Sequence, residues 1–164
     1  MISETGISMA GELQKVLASH LTKAIEDSGI IHALNYCKLN AYPLTDSISK
    51  QHNATIKRLS DKFRNPLNNP EPDDMNIIQA YRDSVLKGAS VRPVVLQKED
   101  REIFYAPIMI SSPLCLKCHG EPGKDIATED YIAINLHYPQ DRATGFRLND
   151  LRGIWRIEFA KKSI

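Results

Sequence analysis

The chain has 164 residues, of which 42% are hydrophobic and 25% are charged, and its formal net charge is +1. These values are ordinary for a globular protein, and the length suits a single domain over residues 1–164 with one hydrophobic core. The near-neutral charge gives no field that would favour nucleic acid, and no stretch approaches the roughly 18 apolar residues of a membrane span. We therefore expect neither a nucleic-acid partner nor a membrane span in this chain.

Residues 1–52 are predicted to be mostly helical. The stretch "SMAGELQKVLASHLTKAIEDSG" repeats apolar residues at helical spacing along one stripe, and Gly29 is expected to end or kink this helix. The following "IIHALNYCKLNAYPL" places Cys37 on the apolar stripe of a second helix. Pro43 disfavours helical geometry at the residue before it, so we expect a break or a new helix start there.

Residues 53–164 are predicted to form a sheet with one helix. "ATIKRLSD" predicts a strand, the proline-rich "KFRNPLNNPEPDD" predicts a loop, and "DDMNIIQAYRDSVLKG" predicts a helix at about residues 73–87. "RPVVLQ" and "EIFYAPIMI" predict a hairpin, and "YIAINLHYP" and "GIWRIEFA" predict two more strands. The expected fold class is α+β, with a sheet of about five strands and helices to one side.

The pentapeptide "CLKCH" carries two of the three cysteines, with a histidine directly after the second. This Cys-x-x-Cys-His spacing is the signal for covalent haem attachment. Two intervening residues let one short turn bring Cys115 and Cys118 to the two vinyl groups of a haem, and His119 then reaches the iron. The motif therefore predicts one covalently attached haem c.

Three other interpretations of the motif stay open. A thioredoxin-like dithiol usually starts a helix in a βαβ unit, but no parallel βαβ pattern is present, and Gly120 and Pro122 shorten any helix here. A structural zinc site needs four ligands, which Cys37, Cys115 and Cys118 with one histidine could supply, although no second paired motif exists. The third interpretation is a chance arrangement.

Haem attachment also predicts a compartment. Attachment of this kind is made outside the cytoplasm, in the bacterial periplasm or its equivalents, so we expect a periplasmic protein. The N-terminal "MISETGISMAGELQ" has neither the basic nor the apolar segment of a signal peptide, and we expect the signal to have been removed.

The second axial position of a haem iron has several candidate ligands. Cys37 lies on a stripe that should face the core, where the haem would lie, although free cysteine is often simply a small buried hydrophobe. Met109 is the second choice, and plain core packing is its alternative. The remaining histidines are more typical of surface or hydrogen-bonded residues: His20, His32, His52 and His137.

Further residues are candidates for holding the haem. Propionates are anionic and need donors, which Arg58, Arg64 and Arg92 could supply because their segments should flank the pocket. A solvated arginine is the plain alternative for each. Tyr105 and Phe104, just before the motif, are candidates for packing on the porphyrin, although strand aromatics ordinarily belong to the core.

Four stretches carry a more specific signal: "ALNYCKLNAYPL", "KRLSDKFRNPLNNPEPDD", "FYAPIMISSPLCLKCHGEP" and "RATGFRLNDLRGIW". Together they resemble the family of periplasmic PAS-like c-type haem sensor domains. The resemblance implies a five-stranded antiparallel PAS-like sheet with long N-terminal helices packed beside it. It also implies that Cys37 is the distal iron ligand opposite His119. Arg64 becomes the preferred propionate donor, because "FRNP" lies in one of the most specific stretches.

The chain departs from this family pattern in two places. Trp155 and Arg156 replace smaller residues in the last strand, and the segment "LNDLRG" lacks the glycine expected near Asn149. Both departures concern local packing rather than the haem ligands.

A thiolate ligand adds negative charge at the iron and favours the ferric state, so His/Cys ligation predicts a low reduction potential. Loss or protonation of the Cys37 thiolate on reduction would open a position for CO or NO. We therefore expect a redox or diatomic-gas sensor that works with a redox partner or a sensor kinase. The alternative is a low-potential electron-transfer cytochrome.

Two further expectations concern activity and assembly. No distal acid–base pair is evident, so a haem reductase is the weaker alternative and we expect no enzymatic activity. The long N-terminal amphipathic helix suits a homodimer, and packing within one chain explains it equally well.

Overall fold

A computed structural model describes residues 2–160, so the predicted domain limits at residues 1 and 164 lie outside the described part. Its elements in chain order are helix α1 (Ile2–Gln51), strand β1 (Ala54–Leu59), helix α2 (Pro72–Leu86), strands β2 (Val94–Gln97) and β3 (Arg101–Met109), helices α3 (Pro113–His119) and α4 (Thr128–His137), and strand β4 (Leu151–Ala160). A short 3₁₀ turn lies at Pro66–Asn68. The fold class is α+β, as the sequence predicts. No helix within residues 2–160 combines the length and hydrophobicity needed to cross a bilayer.

Helix α1 is a helical hairpin that reverses at Gly29 and the residue before it. Gly29 has φ +80°, a conformation that glycine adopts without steric cost. The break separates a first arm, residues 2–27, from a second arm, residues 30–51. The rings of His20 and Tyr36 stack across the hairpin, so the arms pack side by side. The break predicted at Gly29 is confirmed.

The second arm continues through Pro43, so the prediction of a break or a new helix start there is wrong. Two side chains bond to carbonyls of the same arm: Thr45 Oγ1 donates to Ala41 at 2.8 Å, and Asn40 Nδ2 donates to Tyr36 at 2.9 Å. Packing of this arm against the first arm and the sheet outweighs the local preference of one proline.

The sheet has four strands in the order β1-β4-β3-β2, and every neighbouring pair is antiparallel. The prediction of five strands is wrong because residues 128–137 form helix α4. This segment begins with two acids that favour a helix N-terminus, and it buries Ala133 and Ile134 while Ile132 and Leu136 stay exposed. Residues 53–160 therefore hold α3 and α4 in addition to the predicted helix, which is α2.

Helices cover both faces of the sheet, rather than one side as predicted. Side chains of β3 alternate between the faces, so Phe104 packs in a cluster with α1 and Tyr105 packs in a cluster with α2. Buried residues of β1 and β4 divide in the same way. The sheet is therefore the middle layer, and α1 occupies the face on which the candidate site is built.

Arg156, one of the two departures in the last strand, ties α2 to the sheet. Its Nε lies 3.1 Å from Asp74 Oδ1, and its Nη2 lies 2.8 Å from Glu158 Oε2. The hydroxyl of Tyr105 donates to the same buried carboxylate at 2.8 Å. Asp74 thus has one hydrogen-bond donor, the Tyr105 hydroxyl, and one cationic partner, Arg156, as a buried carboxylate requires.

Asn149 lies in the segment "LNDLRG", which lacks the nearby glycine that the family pattern predicts. It has φ +69°, which asparagine tolerates better than most residues with a side chain. Its N–H donates to the carbonyl of Ile110 at 2.9 Å, which closes the turn before β4. Asn149 therefore forms a left-handed turn without a glycine.

Phe104→Ala is expected to lower the free energy of unfolding by about 3–5 kcal/mol, because Phe104 is 0% exposed between α1 and the sheet. Urea unfolding followed by circular dichroism measures the change. Ile132→Ala is the control, since this side chain is 55% exposed and its loss should cost less than about 0.5 kcal/mol. Equal stability of the two variants would contradict the placement of Phe104 in the core.

Candidate functional site

A cavity of about 380 Å³ lies between the two arms of α1, strand β1 and helix α3. This volume falls in the range of cofactor and small-molecule sites, roughly 300–1,000 Å³. Six of the residues predicted for a site line it, and they come from separate parts of the chain: Cys37, Arg58, Arg64, Cys115, Cys118 and His119. The fold therefore brings the cysteine of the second arm and the "CLKCH" motif to one cavity.

Tyr105, Phe104 and Arg92 do not line this cavity, which contradicts their predicted contact with a haem. Both aromatic residues lie on a central strand whose two faces are already covered by α1 and α2. Arg92 is exposed, and its carbonyl accepts a hydrogen bond from the Tyr81 hydroxyl at 2.9 Å, beside α2.

Helix α3 presents the "CLKCH" motif to the cavity. It begins at Pro113, whose fixed φ suits the first turn of a helix, and it ends at His119. Cys115 and Cys118 are three residues apart, so they share one face of the helix, and both line the cavity. The local sequence thus places both sulfur atoms and the histidine at the same wall.

The chain leaves α3 through Gly120, which has no room for a side chain. A Cβ there would lie 2.4 Å from Asp125 Cβ and 2.7 Å from the carbonyl oxygen of Leu116. The carbonyl of Gly120 also accepts the N–H of Gly145 at 2.8 Å. Glycine after the histidine therefore lets a later loop pack against the end of the motif.

The ring of His119 is held in the neutral form that binds metals. Its Nδ1 lies 2.8 Å from the carbonyl oxygen of Ala143, so Nδ1 carries the proton and Nε2 keeps a lone pair. Nε2 has no hydrogen-bond partner within residues 2–160. Burial, followed by the charges of Arg152 and Arg64, holds the pKa of His119 well below its ordinary range.

The surroundings of Cys37 and Cys118 favour the protonated thiol. Burial raises the pKa of Cys118 to about 11, against the opposing charge of Arg64. Burial also raises the pKa of Cys37, while Arg58 and Arg64 oppose the shift. A redox dithiol needs a lowered thiol pKa, and the sheet is antiparallel, so the thioredoxin-like interpretation is disfavoured.

The zinc interpretation is also disfavoured by the arrangement of ligands. Among the described residues, no group of three or more His, Cys, Asp or Glu side chains converges as a metal site. Structural zinc needs four such ligands. Cys37, Cys115 and Cys118 share a cavity without meeting at one point.

Three arginines face the cavity, and the sequence analysis identifies only two of them. Arg152, at the start of β4, lines the cavity beside Arg58 and Arg64. Burial, followed by the charges of Arg64 and Arg58, lowers the pKa of Arg152 to about 9. Burial lowers the pKa of Arg58 as well. The sequence feature that could have identified Arg152 as a cavity residue is its position in "RATGFRLNDLRGIW", one of the four family-specific stretches.

These arginines differ in their partners. Arg64 Nε lies 3.1 Å from Asp141 Oδ1 in a largely buried ion pair. Arg152 Nη1 donates to the carbonyl of Lys62 at 3.1 Å, and the Arg58 guanidinium lies 5.8 Å from the ring centre of Trp155. Within residues 2–160, neither Arg58 nor Arg152 has a carboxylate partner.

The other predicted iron ligands are placed less favourably than Cys37. His137 uses both ring nitrogens in hydrogen bonds, and Met109 packs beside the α2 cluster. His20 lines the cavity, but its Nδ1 is hydrogen-bonded to the Tyr36 hydroxyl. Neither His32 nor His52 lines the cavity. Ligation by Cys37 stays a prediction.

The fold and the site define a class of α+β protein in which a helical hairpin, laid on an antiparallel sheet, encloses a cavity with a Cys-x-x-Cys-His helix. The Tll0287-like family model matches residues 2–160, and the chain belongs to this family. The match bears out the recognition of the family from its motifs.

A solved structure has the same fold. The crystal structure of the cyanobacterial heme-protein Tll0287 matches with a TM-score of 0.74, over 98% of this chain and 96% of that chain. The two sequences are 17% identical, so the likeness is one of fold. None of the curated proteins compared with the chain matches it.

In the chain free of bound cofactor, the free energy of unfolding is expected to fall as the pH drops below the ordinary His pKa of 6.5. The folded pKa of His119 is lower than the unfolded one, so the unfolded chain binds one more proton in this window. The resulting slope is about 1.4 kcal/mol per pH unit until the folded pKa is reached.

Urea unfolding over about pH 5–7 tests this slope. His119→Gln should lose the slope, because an amide does not titrate. His32→Gln should keep it, since His32 is exposed. Equal pH dependence in wild type and His119→Gln would contradict a neutral His119 in the folded chain.

Proposed function

We propose that this chain is a haem protein whose cavity holds one covalently attached haem c. The observation that carries the proposal is the meeting of the "CLKCH" helix and Cys37 at one cofactor-sized cavity. Membership of the Tll0287-like family and the fold shared with a cyanobacterial heme-protein support it.

The residues at the cavity fit this group. Cys115 and Cys118 share one face of α3 and would form the thioether bonds. His119 offers a neutral ring with a free Nε2 as the proximal ligand, and Cys37 would be the distal ligand. When bound, haem supplies a one-electron iron couple and, with one axial position open, a binding site for a diatomic gas.

Arg58 and Arg152 are the better partners for the two propionates. Both guanidinium groups line the cavity, and neither has a carboxylate partner in the described part of the chain. Arg64, which the sequence favours for this role, is already paired with Asp141. Two unpaired cations match two carboxylates, and each pair would gain a charge-assisted hydrogen bond.

The surroundings of Cys37 suit a ligand that changes its protonation. Burial favours the neutral thiol, whereas Arg58 and Arg64 favour the thiolate. Opposing influences of this kind leave the protonation of Cys37 sensitive to a change of charge nearby. Apolar side chains of both arms, including Leu17 and Leu34, line the same cavity and limit the access of water.

We propose redox or diatomic-gas sensing in the periplasm as the role of this site, without enzymatic activity. CO or NO is the proposed small ligand, and a redox partner or sensor kinase is the proposed downstream partner. The periplasm follows from the chemistry, because this type of haem attachment is made outside the cytoplasm. A low-potential electron carrier would keep the same ligands in both redox states, which makes the two roles distinguishable.

Absorption spectra of the ferric and dithionite-reduced protein, produced with haem-attachment machinery, are expected to show haem c with a low-spin ferric state. Cys37→Ala should convert the ferric spectrum to high spin, because the distal ligand is lost. Met109→Leu is the control and should leave the spectrum unchanged, since Met109 does not line the cavity. A colourless wild type would refute haem binding, whereas an unchanged Cys37→Ala spectrum would refute only the ligand.

A sensor is expected to couple reduction to protonation of Cys37. The midpoint potential should then fall by up to about 59 mV per pH unit, and the reduced protein should bind CO. Cys37→Ala should lose that part of the pH dependence. A pH-independent couple in wild type, with no CO binding on reduction, would favour the electron carrier.

A further inference from the structure

We infer that Arg64 and Asp141 are positioning residues for His119. Their ion pair holds residues 141–146, here called the proximal clasp, against the C-terminal end of α3. The clasp supplies the carbonyl of Ala143 to His119 Nδ1. The inference rests on the proposed function, because the orientation of His119 matters through the iron that its Nε2 would bind.

Arg64 contacts both sides of this junction. Its Nη2 donates to the carbonyl of Cys118 at 2.6 Å, and the same nitrogen lies 3.4 Å from the carbonyl oxygen of Ala143. Its Nε donates to Asp141 Oδ1 at 3.1 Å. The two side chains of the ion pair are 12% and 2% exposed. A planar guanidinium fork can span these acceptors, whereas a lysine ammonium cannot reproduce the geometry.

The local sequence fixes the backbone position from which the Arg64 side chain extends. Asn65, the next residue, accepts the N–H of Leu67 at 3.0 Å with its side chain and caps the 3₁₀ turn that Pro66 begins. The "RNP" sequence therefore fixes the backbone beside Arg64. The family-specific sequence of this segment is therefore explained by its role in placing Arg64, without a role in binding propionates.

The proximal clasp is bonded internally and to the motif. Asp141 Oδ1 accepts the N–H of Ala143 at 3.0 Å. The N–H of Phe146 donates to the carbonyl of His119 at 2.9 Å, and the N–H of Gly145 donates to Gly120 at 2.8 Å. These bonds join the clasp to His119, the last residue of the motif, and to Gly120, which follows it.

The ring of His119 is fixed by this arrangement in two ways. Its Nδ1–H points to Ala143, and its plane meets the Phe146 ring edge-on, with centroids 6.2 Å apart and planes at 87°. Phe146 is itself held by two cations, since Lys62 Nζ lies 4.3 Å and the Arg152 guanidinium 5.4 Å from its ring centre. The Nδ1 bond of a metal-binding histidine sets its orientation and donor strength.

The holoprotein with haem attached tests this role through Arg64→Lys and Asp141→Asn. Both variants should increase amide hydrogen exchange across residues 141–146 by about tenfold or more, because charge-assisted hydrogen bonds are lost. Both should also raise the midpoint potential, because a looser Nδ1 bond makes His119 a weaker electron donor. Arg64→Lys is the decisive variant, because it keeps the positive charge and removes only the planar guanidinium that contacts several acceptors at once.

Arg142→Lys is the matched control. Arg142 lies within the clasp but is exposed, and its guanidinium lies 5.0 Å from the ring centre of Phe63. The control should keep wild-type exchange and potential. Should Arg64→Lys fail to assemble, Asp141→Asn supplies the hydrogen-exchange test, because it removes the carboxylate that Arg64 contacts.

Wild-type exchange and potential in both Arg64→Lys and Asp141→Asn would overturn the positioning role. A raised potential in Asp141→Asn alone would show a charge effect and would also overturn it. The haem content of wild type is measured first, so a failure of the proposed function appears there and cannot be confused with a failure of the clasp.

Discussion

The reversal of α1 at Gly29 is the constraint on which the site depends. Because the two arms fold back on each other and lie on one face of the sheet, Cys37 faces the cavity that α3 closes from the other side. A straight α1 would carry Cys37 away from the motif. The site therefore depends on tertiary structure, because the left-handed Gly29 is needed to bring Cys37 to the cavity. Only the "CLKCH" part of the site is contiguous in the sequence.

The sequence predicts the local features of this protein better than the tertiary ones. The glycine break and the helix at Pro72–Leu86 are local features, so turn residues and periodicity predict them correctly. Residues 131–139 read as a strand because a short apolar run fits either period, and packing against α1 decides for helix. Local patterns cannot specify which layer will cover a segment, and the two errors in the sheet have this origin.

The arginines and aromatics show the same limit at the level of single side chains. Arg64 and Arg152 both face the cavity, but only the folded chain brings Asp141 to Arg64 and leaves Arg152 without a carboxylate. Phe104 and Tyr105 precede the motif closely, yet they are directed to the two outer layers by the alternation of β3. A short sequence distance to the motif therefore does not predict which face of the sheet a side chain occupies.

The cluster of Arg58, Arg64 and Arg152 has a consequence for assembly. Three cations around one cavity repel each other, and the carboxylates of Asp141 and Asp61 compensate this repulsion only in part. A dianionic guest would relieve that repulsion and bind the folded chain in preference to the unfolded one. Binding of such a group and folding would then be thermodynamically linked, so the free energy of unfolding would be highest with the group bound.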